Sequence, residues 1–208
     1  MSKTVWMFPG QGAQKVGMAK DFYENSTLAR QLFDEADAAL DFDLKDTCFE
    51  ENEQIHLTEY TQPCLVTACL AMAAELRKRG FRPDMTAGLS LGEYAAIAAA
   101  GGMSPPDAIR LVRKRGLLMQ NTIPAGEGAM CAVLGMETPV IETVLSGVDG
   151  VTIANYNCPG QLVITGRTAA VETAAEKLKA AGARRVVPLK VSGPFHSPLL
   201  ESAGEKLS

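Results

Sequence analysis

The sequence predicts an α/β protein: a parallel-sheet domain with a smaller βαββαβ unit inserted into it. Three observations predict this. Lys3 to Phe8 is a short β-branched and aromatic run that stops at Pro9-Gly10, as a strand entering a loop does. Pro83 to Leu89 is a second short strand that passes through Gly88-Leu89-Ser90-Leu91-Gly92 into an alanine-rich helix from Glu93 to Ala100. From Gly128 onward, strand and helix patterns alternate in the order β-α-β-β-α-β, the order of a ferredoxin-like unit.

Taken in order, the loop Gly10-Gln11-Gly12-Ala13-Gln14 follows the first strand, and a mostly helical stretch runs to about Ala39. A polar loop comes next, and Thr61-Gln62-Pro63 opens an apolar helix ending near Gly80, with the proline expected in its first turn. After the helix that closes at Gly101-Gly102, Ser104 reads as the N-cap of another, with Pro105 in its first turn and Asp107 in the capping-box position, running to about Asn121. The small unit then follows as strand 129–134, helix 139–145, strands 151–154 and 162–165, helix 169–181 and strand 185–189. Residues 1–126 and 191–208 are expected to form the catalytic subdomain, with 127–190 as a lid. Ser197 to Ser208 reads as a helix begun without a capping signal after it, so a C-terminally cut chain is expected.

Charge and cysteine usage narrow the function. With 20 Lys and Arg against 24 Asp and Glu, and no long basic run, the chain offers no general field for nucleic acid. No stretch of 18 uncharged apolar residues occurs and the N-terminus lacks a signal-peptide pattern, so no membrane association is expected and the cytoplasm is the expected compartment. Five cysteines without a C-x-x-C pair, and two histidines, point to free, mostly buried thiols and to no metal. Cys158 is read as buried too, because no neighbouring cation activates it.

Gly88-Leu89-Ser90-Leu91-Gly92 fits G-x-S-x-G between strand and helix, the context of a nucleophile elbow. Small residues two before and two after the serine let the chain pass itself in so sharp a turn, and the hydroxyl then projects at a helix N-terminus. A plain glycine-rich turn would look the same. A serine needs a base, and the choice is between His56, in a polar segment that reads as surface, and His196, in Gly193-Pro194-Phe195-His196-Ser197 after the last strand of the small unit. Gly10-Gln11-Gly12 is either a tight turn or a loop whose Gln11 amide joins the Leu91 amide in an oxyanion hole. Arg115 falls on the apolar face of its helix with Ala108, Val112, Gly116 and Met119, while Arg110, Arg113 and Lys114 lie opposite. A guanidinium there needs an anion, either a carboxylate of this chain or one on a substrate.

Together with Arg115-Gly116-Leu117-Leu118-Met119-Gln120 and Asn155-Tyr156-Asn157-Cys158-Pro159-Gly160-Gln161, these motifs resemble, in order and spacing across the whole chain, the malonyl-CoA:acyl carrier protein transacylase family. The resemblance implies an α/β-hydrolase-like large subdomain and malonyl transfer from malonyl-CoA to the phosphopantetheine thiol of acyl carrier protein in fatty acid biosynthesis. It makes Ser90 the nucleophile, His196 its base, Gln11 and Leu91 the oxyanion-hole amides, and Arg115 the holder of the malonyl carboxylate, with Gln62 and Phe195 lining the substrate site and no cofactor. Acyl carrier protein being acidic, Arg110, Arg113, Lys114, Lys177, Lys179, Arg184, Arg185 and Lys190 are docking candidates. Two departures stand out: Leu89 occupies a place where the family commonly has histidine, and family members continue past residue 208 with further strands and a glutamine that steadies the histidine. A serine esterase or thioesterase, and an inactive fragment, are the rival expectations.

Overall fold

The computed structural model describes residues 2–124, 126–189, 191 and 193–208. Lys190 of the basic set and Ser192 before the histidine loop lie outside the described residues. The chain divides into two compact units, Met1–Leu117 and Leu118–Ser208. The 191–208 segment, expected with the first domain, clusters with the second unit.

The first unit comprises β1 (Val5–Phe8), α1 (Lys20–Asn25), α2 (Thr27–Ala39), α3 (Leu44–Phe49), a 3₁₀ turn at Gln54–His56, α4 (Thr58–Lys78), β2 (Met85–Gly88), α5 (Gly92–Ala100) and most of α6 (Pro105–Thr122). β1 and β2 pair in parallel with Phe8 opposite Gly88, so the loops leaving both strands start side by side at the carboxyl end of the sheet, where open α/β folds place their sites. Core packing centres on α4, buried without interruption from Thr61 to Ala71, against Phe33, Leu44, Leu91 and Ile109. The alanines of α5 at 95, 96, 98 and 99 are buried. Small side chains let that helix lie close to its neighbours.

Two expectations for this unit change. The loop after Ala39 contains α3, whose start is capped by Asp43 Oδ1 accepting from the Asp46 amide at 2.7 Å. And α4 begins at Thr58, which puts Pro63 inside the helix and deprives the Glu59 carbonyl of its donor. Arg113 Nη1 donates to that carbonyl at 2.8 Å instead. At the start of α6 the cap is as expected, with the Asp107 amide donating to Ser104 Oγ at 3.2 Å; the Ser104 hydroxyl itself donates back to Asp107 Oδ2 at 2.5 Å.

The second unit comprises β3 (Gly128–Leu134), α7 (Thr138–Leu145), β4 (Val151–Cys158), β5 (Gln161–Arg167), α8 (Thr168–Ala180), β6 (Arg185–Pro188), a 3₁₀ turn at Pro198–Leu200 and α9 (Glu201–Leu207). Its sheet has the order β4-β5-β3-β6 and every pairing is antiparallel, the ferredoxin-like arrangement. Alternation along β5 sends Leu162 and Ile164 against Ile141, Leu145, Val171 and Leu178 of the two helices, and Val163 to the opposite face with Met119, Met130, Ala132 and Phe195. β4 runs four residues beyond the predicted Ala154 because register shifts at Ile153/Asn155 and Tyr156/Cys158 break the alternation that marks a strand in sequence. Cys158, at its end, is exposed and corrects the expectation of burial; Cys48, Cys64, Cys69 and Cys131 are buried. Among the described residues no helix is long and apolar enough to cross a membrane.

Candidate active site

At the carboxyl end of β2 the chain turns directly into α5, and Ser90 holds the turn with φ at +51°. For a residue with a Cβ this left-handed conformation costs about 1–3 kcal/mol and persists only where the surroundings fix it. The two glycines make it sterically feasible. A Cβ on Gly88 would overlap the backbone of Gly92 and Glu93, and one on Gly92 would overlap the Phe8 carbonyl of β1. The Gly92 amide donates to Leu89 O at 2.9 Å and the Glu93 amide to Ser90 O at 3.1 Å, closing the elbow as the helix begins. Ser90 is half-buried, and Leu91 behind it is 1% exposed.

The Gly10–Gln14 loop leaves the neighbouring strand beside the elbow, close enough that a Cβ on Gly10 would stand 2.8 Å from Leu89 O. The Gln11 side chain donates to Thr58 Oγ1 at 3.0 Å, tying the loop to the first residue of α4. Among the described residues neither the Gln11 nor the Leu91 amide donates a hydrogen bond to the protein, which leaves both available to a developing oxyanion.

α6 supplies the cations. Gly116 packs against the start of α4, where a Cβ would stand 2.8 Å from Glu59 Cα and 3.0 Å from Thr58 O, so the helix backbones nearly touch. Arg113 and Arg115 flank that contact on opposite sides. Arg113, expected on the polar face and in a docking surface, is 8% exposed. Its Nε and Nη2 donate to Asp41 at 2.8 and 2.9 Å, its Nη1 reaches Glu59 Oε2 at 3.2 Å, and the Phe42 and Tyr60 rings stand 4.9 Å away. At about 100° from Val112 it sits on the shoulder of the apolar face, where its stem can turn inward toward the carbonyl left by Pro63.

Arg115 reaches different company. Its Nη1 donates to Gln62 Oε1 at 2.8 Å, its Nη2 to Ser90 Oγ at 3.3 Å, and its guanidinium lies 5.5 Å from the centroid of the Tyr94 ring. Gln62 is fully buried in α4. Among the described residues no carboxylate forms an ion pair with Arg115; the ion pairs of α6 belong to Arg110 and Arg113. Burial pulls the Arg115 pKa below the usual arginine range, with Tyr94 and the nearby Glu93 opposing. Arg113 moves the other way: burial again lowers it, and Asp41 and Glu59 overcome this to raise it. Both stay protonated, and the opposite shifts mark which one has its counter-charge within the chain.

In the second unit, His196 is exposed on a tight turn with φ at +56°, while Phe195 beside it is buried against Met119, Met130 and Val163. The Ser197 hydroxyl donates to Pro194 O at 2.7 Å and the Phe195 amide to Gly193 O at 3.1 Å, fixing the turn. His56 lies exposed in its 3₁₀ turn. Ser90, Arg115 and Gln62 are therefore brought together directly, with Gln11 and Leu91 in adjoining turns, and His196 and Phe195 share one rigid loop of the other unit. Of the remaining basic residues, Arg110 pairs with Asp107, Lys177 donates to Gly147 O, and Lys114, Lys179, Arg184 and Arg185 are exposed. Sequence reasoning gave no role to Tyr94; its place four residues after the serine, in the first turn of α5, was the available signal.

A strained serine at a strand-to-helix elbow, beside a guanidinium without a carboxylate of its own, defines a serine-dependent acyl-transfer enzyme class. A family described as acyl transferase domain matches residues 5–208, and the chain belongs to that family. It is 49% identical over 212 residues to the malonyl CoA-acyl carrier protein transacylase of Bacillus subtilis strain 168, covering all of this chain and 67% of that protein. Among solved structures, a crystal structure of MCAT from Streptococcus pneumoniae superposes with a TM-score of 0.91 at 46% identity, over 99% of this chain and 68% of that one. A malonyl-transacylase in complex with a type II PKS acyl-carrier protein gives 0.95 at 40% identity, over 99% and 68%. The chain thus spans about two thirds of the length of these relatives.

Proposed function

We propose that the protein transfers a malonyl group from malonyl-CoA to the phosphopantetheine thiol of acyl carrier protein, in fatty acid synthesis and in the cytoplasm, without a cofactor. The observation that carries this is the Ser90–Arg115 pair: a nucleophile hydroxyl 3.3 Å from a guanidinium that lacks a carboxylate partner within the described chain. A malonyl thioester supplies both what the serine attacks and what the arginine lacks. The homology to transacylases supports the same donor and acceptor.

In this mechanism His196 accepts the Ser90 proton as Oγ attacks the thioester carbonyl, and the Gln11 and Leu91 amides hold the oxyanion. The carbon–sulfur bond breaks, the coenzyme A thiolate takes the proton from His196, and a malonyl-serine ester stays behind. The carrier thiol then gives its proton to His196 and attacks the ester, and Ser90 leaves with that proton. Arg115 holds the malonyl carboxylate through both halves with Gln62 behind it, and an acetyl group in its place would leave the cation unpaired. Phe195 acts from the core side of its turn, keeping the His196 loop rigid.

Intact-mass measurement after incubation with malonyl-CoA tests the proposal. One malonyl mass is expected, mapped to Ser90, absent in Ser90→Ala, and discharged by phosphopantetheinylated acyl carrier protein far faster than by water. Rapid loss to water alone would make the protein a thioesterase, and a folded protein with no adduct would refute transfer altogether.

A further inference from the structure

We propose that Tyr94 is a positioning residue for acyl selection: its ring face orients the Arg115 guanidinium so that a carboxylate-bearing acyl group is preferred. The inference rests on the function proposed above and extends it to a residue that touches neither the reacting carbonyl nor the nucleophile. An arginine side chain is long and rotamer-rich, and to grip a carboxylate with two parallel hydrogen bonds its plane must be fixed as well as its position. In this site the edge of the plane is held at two points, by Gln62 Oε1 at 2.8 Å and Ser90 Oγ at 3.3 Å. Two contacts on the edge leave the plane free to tilt about the line joining them. The Tyr94 ring, its centroid 5.5 Å from the guanidinium carbon, adds a third contact that restrains this tilt.

Donor counting agrees. A guanidinium has five N–H groups; Gln62 and Ser90 take one each, and with one more turned to the Tyr94 hydroxyl two remain, the number a carboxylate needs. Tyr94 is itself half-buried against the core of the first unit, so its ring is a fixed surface. Its backbone is fixed by the elbow, since its amide donates to Leu91 O at 3.2 Å. The same turn that presents the nucleophile therefore sets the platform for the selecting cation, which couples where attack occurs to which acyl group is held.

Rates of Ser90 acylation by malonyl-CoA and by acetyl-CoA in wild type, Tyr94→Phe and Tyr94→Leu test this. Tyr94→Phe keeps the ring and should keep the malonyl-to-acetyl preference within about twofold. Tyr94→Leu should lower that preference about tenfold, through a higher KM for malonyl-CoA at nearly unchanged kcat, with the acetyl rate unaffected. Equal loss of both acyl groups in Tyr94→Leu would show a merely structural role and overturn the proposal. Equal loss of preference in the Phe and Leu variants would assign the effect to the hydroxyl and likewise overturn it. Wild-type protein that forms no malonyl-serine would instead remove the underlying function, a result distinct from an intact acylation indifferent to residue 94.

Discussion

Arg113 and Arg115 stand two residues apart on one helix and do opposite things with the same group. Arg113 is enclosed by Asp41, Glu59 and two aromatic rings, and its charge is answered within the chain. Arg115 is enclosed by an amide, a hydroxyl and one ring, and its charge is not answered by any ion pair among the described residues. A buried cation with partners leaves those partners stranded when it is removed, whereas one supplied with orientation but no counter-ion suits the proposed role of meeting an anion that a ligand brings. The opposite directions of their pKa shifts express the same difference. What separates a structural arginine from a binding one is the neighbouring chain, which residue type and helical position do not report.

Four substitutions break or sharpen that contrast. The largest effect is expected from Arg115→Ala, which should lower malonyl transfer on the order of 100-fold or more and erase the preference over acetyl, while the melting temperature holds or rises because a desolvated cation is removed. Steady-state kinetics with both acyl-CoA donors, beside a thermal melt, check it; a large loss of stability would mean that Arg115 is structural after all. Arg113→Ala should do the reverse, costing about 1–3 kcal/mol of stability chiefly by stranding the Glu59 carbonyl, the exposed Asp41 adding little, with acyl preference unchanged. Denaturant melts read this, and the Pro63→Ala background refines it. Restoring an N–H at residue 63 gives the Glu59 carbonyl a helical donor, so the cost of Arg113→Ala should shrink there by about 1 kcal/mol; simple additivity would sink the link between proline and arginine.

The smallest effect concerns acid. The hydrogen bond from Arg113 holds Asp41 below its usual 3.8, so in the folded protein this carboxylate stays charged at a pH where the unfolded chain is protonated. Its contribution is fully present above about pH 4 and is lost as pH falls through the depressed folded value. Because the Asp41 side chain is two-thirds exposed, screening keeps that contribution small. Asp41→Asn should flatten the stability profile only below pH 4, and an equal change at neutral and acid pH would contradict the assignment.

Periodicity and local steric rules made much of this legible beforehand. G-x-S-x-G placed the strained serine, since the overlap of Gly88 with Gly92 and Glu93 is a local consequence of turning a strand into a helix; the close approach of Gly92 to Phe8 of β1 is tertiary. Alternating runs after Gly128 gave the βαββαβ order, because each element there buries one face over a few residues. β4 beyond Ala154 escaped, since its bulges erase the period, and α3 escaped because six residues carry too little pattern to separate from a polar loop.

By itself, then, the sequence determined the elbow, the order of elements and the short list of candidates for nucleophile, base and cation, since these follow from near-neighbour sterics and side-chain chemistry. Only the tertiary structure decided which arginine has its ion pairs among the described residues and which has none. Arg113 is 72 residues from Asp41 and 54 from Glu59, and Arg115 is 53 from Gln62 and 25 from Ser90. A charge's free energy depends on what is packed around it, and packing at those separations is set by how α4, α5 and α6 meet.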